Sequence, residues 1–298
     1  MDTPYDKLIN ERAADNAQPD EHKPTLPKRV IEPLRGWAFL RLNELWEYRE
    51  LIWVLAGRDI SVRYKQTIFG VAWAVIQPLT LMVVFTVFFH RWGGIQSEGV
   101  PYPIFNYAAM LPWQYFSAAL SSSSAGLLRN THLFTKIYFP RLIIPISSVL
   151  PPLADLAIAF AILMGMMYFY YHMIFTWRLV ILPVLIAILI INVLGMGIWF
   201  CALSVEYRDV TYTFPAIIQL MLFASPIVYS SRMIPWRWQP LYSLNPLVGI
   251  IDGFRWMLFG HYDFPINTLA SAAVAGIVIL VSGVIYFQRM ERTFADVV

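Results

Sequence analysis

Long uncharged stretches alternate with short charged segments along most of the chain. Six of these stretches hold 22 to 30 residues each, and a helix needs about 20 apolar residues to cross a bilayer. They cover residues 68–89, 99–128, 142–171, 179–205, 210–231 and 264–288. Only the third contains a charged residue, Asp155. The pattern therefore predicts an all-α membrane protein with six transmembrane helices.

Residues 36–56 show a different pattern, in which apolar and polar positions recur with the period of a helix. One side carries Asn43, Glu47 and Glu50. The other side carries Phe39, Leu42, Trp46 and Trp53. This segment is too charged to span, so we predict an amphipathic helix in the membrane interface, with its tryptophans at headgroup level. A soluble helix packed on another subunit is the alternative reading of the same pattern.

The interface segment extends to residue 66, where the first predicted span begins. Arg58, Asp59 and Arg63 are predicted to lie at the inner membrane surface. Binding of lipid phosphates is by itself one explanation for these charges.

The remaining segments divide the chain into four parts. Residues 1–35 are polar, rich in proline and acidic at their start, which predicts a disordered cytoplasmic tail and not a signal peptide. Residues 36–66 form the interface segment, 67–290 the six-span domain and 291–298 a cytoplasmic C-terminus.

One connection on the predicted outer side is unusual. Residues 232–263 are too apolar for a solvated loop, and Pro235, Pro240 and Pro246 interrupt them too often for a span. Two re-entrant helices before the last span satisfy both observations, provided that protein covers their backbone.

The charge content supports a membrane location. Of the 298 residues, 58% are apolar and 14% are charged, against about 25% charged residues in a soluble domain. This composition excludes a disordered protein, a nucleic-acid-binding protein and an ordinary water-soluble enzyme. If the N-terminus is cytoplasmic, 17 of the 22 basic residues fall on the inner side of the membrane. Basic residues favour the cytoplasmic side, so both termini are predicted to be cytoplasmic.

The sequence lacks the common catalytic motifs. No glycine directly precedes a lysine, so there is no phosphate-binding loop of the Walker type, and neither G-x-S-x-G nor H-E-x-x-H occurs. The single cysteine, Cys201, provides no metal-binding pair. We therefore expect a chain that is not an enzyme and that binds no cofactor or metal.

Four segments occur in order along the chain and carry a family resemblance. They are RDISVRYKQTIFGVAWAVIQPL (58–79), HLFTKIYFPRLIIP (132–145), EYRDV (206–210) and SLNPLVGIIDGFRWMLFG (243–260). Together they resemble the membrane permease subunit of type-2 ABC exporters. The most similar group exports bacterial cell-surface polysaccharides, namely O-antigen, capsule and teichoic acid. The resemblance covers residues 36 to 290.

The resemblance implies a homodimer that works with two copies of a separate cytoplasmic ATPase, which binds the ATP and magnesium. It implies export of a lipid-linked polysaccharide across the bacterial cytoplasmic membrane, with membrane lipids around the chain and no nucleic acid. Two alternatives stay open. One is an exporter of a small lipid or drug with the same fold, and the other is an integral-membrane enzyme of envelope assembly.

The resemblance also implies that the connection between the second and third spans docks on the ATPase. The residues assigned to this coupling role are Leu133, Phe134, Lys136, Ile137, Tyr138, Phe139 and Arg141, with Glu206, Arg208 and Asp209 of the EYRDV turn. We predict exposed aromatic residues ringed by charge in the first of these turns. The alternatives are packing beneath the helices for the first turn and a solvated charged turn for the second.

Aromatic residues within the spans are candidates for a sugar conduit, because sugar rings stack on aromatic faces. Trp73, Tyr115 and Phe116 are assigned this role, with lipid contact or core packing as the alternative. Asp155 is predicted to face protein or water, past the midplane toward the outer leaflet, with a helix N-terminus or a hydroxyl as its partner.

Overall fold

The computed structural model describes residues 42–65, 70–134, 139–169, 172, 177–260 and 263–291. All regular elements within these residues are helical. The predicted N-terminal tail, residues 36–41 and the last seven residues lie outside the described residues.

The predicted interface segment forms two helices, α1 (Leu42–Glu47) and α2 (Arg49–Lys65). The side of α2 that packs on the rest of the protein is centred on Leu55 and is buried against Phe139, Ile143 and Ile144. This side is not the predicted tryptophan side. Trp46 and Trp53 are 71% and 68% exposed, as expected for residues that contact headgroups.

Helix α3 (Gly70–Phe85) continues into a π-helical segment, Thr86–Trp92. Helix α4 (Tyr102–Ser124) follows the loop. Pro103 lies in the first turn of α4, where the backbone N–H that proline lacks has no partner within the helix. These elements correspond to the first two predicted spans, which covered residues 68–89 and 99–128.

Four helices follow in the connection and the third predicted span. They are α5 (Gly126–Arg129), α6 (Thr131–Phe134), α7 (Ile143–Val149) and α8 (Pro151–Phe169). A bend at Leu150 separates α7 from α8. Pro151 and Pro152 open α8, because proline is tolerated in a first turn and interrupts a continuing helix.

The fourth and fifth predicted spans correspond to α9 (Leu182–Glu206), preceded by the 3₁₀ turn Trp177–Ile181, and to α10 (Arg208–Ala224). Beyond α10 lie the 3₁₀ turn Ser231–Met233, α11 (Gln239–Tyr242), α12 (Pro246–Phe259) and α13 (Ile266–Glu291). Asn245 caps α12 by accepting a 3.1 Å hydrogen bond from the N–H of Leu247. Gly260 ends α12 in the left-handed conformation that favours glycine, with φ of 65°.

Four helical segments within the described residues are long and apolar enough to cross a membrane: Ala72–Trp92, Ile143–Phe169, Trp177–Glu206 and Ile266–Glu291. They confirm four of the six predicted spans as helices of membrane length. The other two predicted spans correspond to α4, which has 23 residues and several polar side chains, and to α10, which has 17 residues. The helical fold is therefore confirmed, while the count of six spans stays a prediction.

Helix α4 lies at the centre of the main core. Ile104, Tyr107 and Met110 are completely buried there, and α4 contacts α3, α8, α9 and α12. Helices α9 and α13 approach each other closely. A side chain added at Gly195 would place its first carbon 2.7 Å from the backbone nitrogen of Leu280, so only glycine fits.

Candidate functional site

A cavity of about 1340 Å³ is bounded by α2, α3, α4, α5, α7 and α8. This volume exceeds that of common small-molecule pockets, which hold about 300–1,000 Å³. Its polar lining consists of Arg58, Asp59, Arg63, Gln77, Gln114, Ser117, Ser121, Ser122, Arg129, Asn130, Ser148 and Asp155, and its aromatic lining of Trp73, Trp113 and Tyr115.

Helix α4 presents a polar side to this cavity. Gln114, Ser117 and Ser121 are spaced three and four residues apart, so they lie on one face of the helix. The Nε2 atom of Gln114 is buried and makes no hydrogen bond within the described residues. Amides and hydroxyls beside aromatic rings suit hydroxyl-rich ligands, because they offer both donors and acceptors.

Two of the three predicted conduit residues line this cavity. Trp73 is 61% exposed, whereas Tyr115 is buried and its hydroxyl donates to the carbonyl of Val149 over 3.3 Å. Phe116 does not line this cavity. It is completely buried in the core and stacks on Trp113, with ring centroids 6.0 Å apart. Each step along a helix turns about 100°, so Phe116 leaves the side on which Tyr115 lies.

Sequence reasoning missed Gln77 and Gln114 as cavity residues. The signal that identifies the two glutamines is a polar amide within an otherwise apolar span.

Asp155 forms an ion pair with Arg63 and accepts a hydrogen bond from the hydroxyl of Tyr64. Asp155 therefore has the protein-facing position and the hydroxyl partner that the sequence predicts. Its depth in the membrane, past the midplane, stays a prediction. Asp155 lies in the second turn of α8, beside the C-terminal end of the interface helix α2.

The partner hydroxyl of Asp155 stays protonated over a wide pH range. Partial burial, and then the hydrogen bond to the Asp155 carboxylate, raise the pKa of Tyr64 to about 12. The phenolic O–H therefore donates to the carboxylate at physiological pH.

Arg58 of α2 and Arg129 of α5 lie at the same cavity wall. The Nε of Arg58 donates to Asp59 over 2.9 Å, and its Nη2 donates to the side-chain oxygen of Asn130 over 3.0 Å. The second bond ties α2 to the end of α5, where Arg129 donates to the backbone carbonyl of Ser122 over 3.2 Å.

The first predicted coupling turn is only partly described. Lys136, Ile137 and Tyr138 lie outside the described residues, as does the side chain of Phe134. The expected exposure of Phe139 was wrong, because this ring is buried against α2 in the cluster around Leu55. Leu133 is half-buried and packs on that cluster. The Nη1 of Arg141 lies 3.4 Å from the carbonyl oxygen of Glu291 and donates to it.

The second predicted coupling turn also contacts α13. Glu206 accepts a 2.9 Å hydrogen bond from the hydroxyl of Tyr286. A hydrogen bond to Glu206 raises the pKa of the neighbouring Tyr207. Asp209 is exposed, and the side chain of Arg208 lies outside the described residues. The last turns of α13 therefore touch both predicted coupling turns, through Glu291 and Tyr286.

Sequence reasoning missed the burial of Arg255 in α12, because it treated this residue only as one of the basic residues on the predicted outer side. It is buried, and its two terminal nitrogens donate to the carbonyls of Ile227 and Tyr229 over 3.0 and 3.1 Å. Its guanidinium carbon lies 3.6 Å from the ring centroid of Phe105. Arg255 thereby holds the segment after α10 against α4 and α12.

The described residues contain no group of three His, Cys, Asp or Glu side chains that can hold a metal ion. Membrane-length helices around a cavity with amides, hydroxyls, aromatics and charges define a membrane transport protein as the class of this chain. The chain belongs to the ABC-2 type transporter family, whose model matches residues 50–259.

Individual relatives match over nearly the whole chain. The O-antigen export system permease protein RfbA of Myxococcus xanthus is 25% identical over 266 residues, which cover 86% of this chain and 98% of the relative. A protein of the same name from Klebsiella pneumoniae is 26% identical over 83% of this chain and 95% of the relative. The polysialic acid transport protein KpsM of Escherichia coli is 23% identical over 79% of this chain and 91% of the relative.

Proposed function

We propose that this chain is the permease subunit of an ATP-driven exporter that moves a lipid-linked polysaccharide across the bacterial cytoplasmic membrane. The observation that carries the proposal is the similarity, over 79 to 86% of this chain, to permeases named for O-antigen export and polysialic acid transport. The cavity supports it, because its amides, hydroxyls and aromatic rings suit sugars.

In this proposal two copies of the chain form a homodimer, with six spans each and both termini in the cytoplasm. Two copies of a cytoplasmic ATPase bind the ATP and magnesium. The residues around Phe134 and Tyr138 dock on the ATPase, and the EYRDV turn with Glu206 lies beside them. Because α13 contacts both turns, a displacement of the ATPase reaches α9 and α13 together.

The conduit for the sugar chain includes Trp73, Trp113 and Tyr115, with Gln77 and Gln114 as hydrogen-bonding groups. Phe116 supports Trp113 from the core and takes no direct part. Helices α11 and α12 are the re-entrant pair on the outer side.

The test is transport in inverted membrane vesicles that contain the chain and its ATPase. A lipid-linked glycan polymer on the outer surface of these vesicles should become resistant to added glycosidase only when ATP is present. The same vesicles with an ATPase unable to hydrolyse ATP are the control.

Three outcomes contradict the proposal. Equal transport of the bare lipid carrier and of the glycan-linked lipid indicates a lipid exporter. Chemical conversion of the lipid-linked sugar by the purified chain alone indicates an enzyme. No ATP-dependent protection of any polymer tested also counts against it.

A further inference from the structure

One section of the cavity lining is rich in arginine, with three arginines beside two aspartates. Arg58 and Arg63 of α2 and Arg129 of α5 all line it, and the Arg58–Asn130 bond joins these two helices. Arginine presents a planar fork of five donors, a geometry that matches phosphate oxygens.

The partners of these arginines differ in charge. Arg129 donates to the backbone carbonyls of Ser121 and Ser122, at 3.4 and 3.2 Å. Both acceptors are uncharged, so these hydrogen bonds do not neutralise the positive charge of Arg129. Arg58 lies 2.8 Å from Asp59, and Arg63 forms its ion pair with Asp155.

We propose that Arg58, Arg63 and Arg129 bind the phosphate or diphosphate that joins the lipid carrier to the exported glycan. The inference rests on the proposed function and adds to it a defined site for the anionic part of the substrate. An amphiphilic ligand fits this arrangement, because the arginines adjoin the aromatic and amide groups of Trp73 and Gln114 in one cavity.

In this inference, Asp155 competes with the phosphate for Arg63. Its carboxylate pairs with Arg63, and a phosphate that binds Arg63 has to displace it. Asp59 adds a second negative charge at the same wall. Removing the Asp155 charge should therefore strengthen anion binding, an effect opposite to the loss expected from a residue that only supports the fold.

The test measures binding of radiolabelled farnesyl diphosphate to the purified complex of the chain with its ATPase, in phosphatidylcholine nanodiscs. Replacement of Arg58→Gln and Arg63→Gln together should raise Kd about tenfold or more, because charge-assisted hydrogen bonds to the anion are lost. Asp155→Asn should lower Kd severalfold.

Arg49→Gln is the matched control. Arg49 lies on the same helix but outside the cavity lining, where it is exposed and its guanidinium carbon lies 5.2 Å from the ring centroid of Trp46. Its replacement should leave Kd within about twofold of the unmodified chain.

A second measurement does not depend on replacing an arginine. The single cysteine, Cys201, is completely buried, so an introduced Ser122→Cys in the cavity is the accessible thiol. Farnesyl diphosphate should slow maleimide labelling of that thiol about tenfold, and farnesol should not. Labelling of Val180→Cys, which is exposed outside the cavity, should not change.

Several results overturn the inference. One is equal Kd values for farnesyl diphosphate in the double arginine variant and in Arg49→Gln. A second is weaker binding of farnesyl diphosphate in Asp155→Asn. A third is equal protection of Ser122→Cys by farnesol and by farnesyl diphosphate. Equal competition by phosphatidylglycerol indicates arginines that anchor bulk lipid. Competition by inorganic diphosphate supports the site.

Failure of this site and failure of the proposed function give different results. If the double arginine variant exports glycan normally, the phosphate site is wrong and the exporter stands. If the unmodified complex binds farnesyl diphosphate as expected but moves no polymer in vesicles, the proposed function is wrong and the anion site stands.

Discussion

Single side chains link helices that are far apart in sequence. Arg63 and Asp155 are 92 residues apart and join the interface helix to α8. Arg255 reaches back 28 residues to the carbonyl of Ile227. Each arginine carries a charge and several hydrogen-bond donors. Arg63 pairs with a carboxylate and Arg255 donates to two backbone carbonyls, which apolar side chains could not do.

Replacement of Arg255 by methionine should destabilise the protein, because two carbonyls lose their donor and the contact with Phe105 loses its charge. A cost of roughly 2–4 kcal/mol is expected, seen as a Tm lower by several degrees. Arg237→Met is the matched control, since Arg237 lies on the same outer segment and is exposed. Equal Tm values for the two variants would show that the buried contacts of Arg255 contribute nothing.

The Tyr64 hydroxyl should make a pH-dependent contribution to stability. Its pKa is raised from 10.0 to about 12, so the contribution is complete below about pH 10 and is lost as pH rises through about 12. The unmodified protein should have a higher Tm than Tyr64→Phe, by the equivalent of about 1 kcal/mol. This difference should be constant near neutral pH and should shrink above pH 10. A difference that grows at high pH contradicts the assigned hydrogen bond.

At the scale of elements, the two predicted coupling turns share one support. Helix α13 contacts Arg141 through Glu291 and Glu206 through Tyr286. Phe139 belongs to the packing of α2 and not to a free surface. Phe139 therefore supports the fold, and the proposed docking falls to its neighbours in the first turn.

This division predicts different effects for neighbouring aromatic residues. Phe134→Ala with Tyr138→Ala should reduce the recovery of the ATPase in a pull-down and abolish export, because interface aromatics contribute about 2 kcal/mol or more each. Lys136→Ala should have a mild effect. Phe139→Ala should instead lower Tm and the amount of folded chain, at a cost of about 3 kcal/mol for a buried ring. Normal ATPase recovery and export in the double variant would assign coupling to the EYRDV turn.

At the scale of the whole molecule, the cavity and the core share α4. Its polar side, with Gln114 and Ser117, faces the cavity, and Phe116 on another side is completely buried. One helix therefore contributes both to the cavity wall and to the core, so neighbouring substitutions in it should have different effects.

Trp73→Leu should lower export while the amount of assembled complex stays unchanged, because the side chain is exposed in the cavity and loses only its stacking face. Phe116→Leu should lower Tm and the amount of complex, by roughly 1 kcal/mol or more from altered packing. Export in vesicles, normalised to complex recovered, distinguishes the two. A Trp73→Leu complex with full export per molecule contradicts the conduit role.

The whole chain should hydrolyse no ATP when purified without other subunits, because it contains no Gly-Lys pair for a phosphate-binding loop. Addition of the separate ATPase should restore magnesium-dependent hydrolysis. Robust hydrolysis by the chain alone would overturn the division of labour proposed above. A preparation passed through a second affinity step controls for contaminating ATPases.

The sequence by itself determined the helical class and the positions of the long helices to within a few residues. Ile266–Glu291 against the predicted 264–288 is one example. This succeeded because bilayer thickness sets a length of apolar chain, which is a local property. The prolines predicted two helices before the last span, because proline interrupts a continuing helix, and α11 and α12 lie there. Their re-entrant character stays a prediction.

Only the tertiary structure decided which faces of those helices meet. It buried Phe116 and Phe139, turned Leu55 and not Trp46 or Trp53 toward the protein, and paired Asp155 with Arg63. In an almost uniformly apolar chain, lipid-facing and protein-facing residues are chemically alike. Periodicity therefore does not separate them, and the cavity forms only when six helices are packed together.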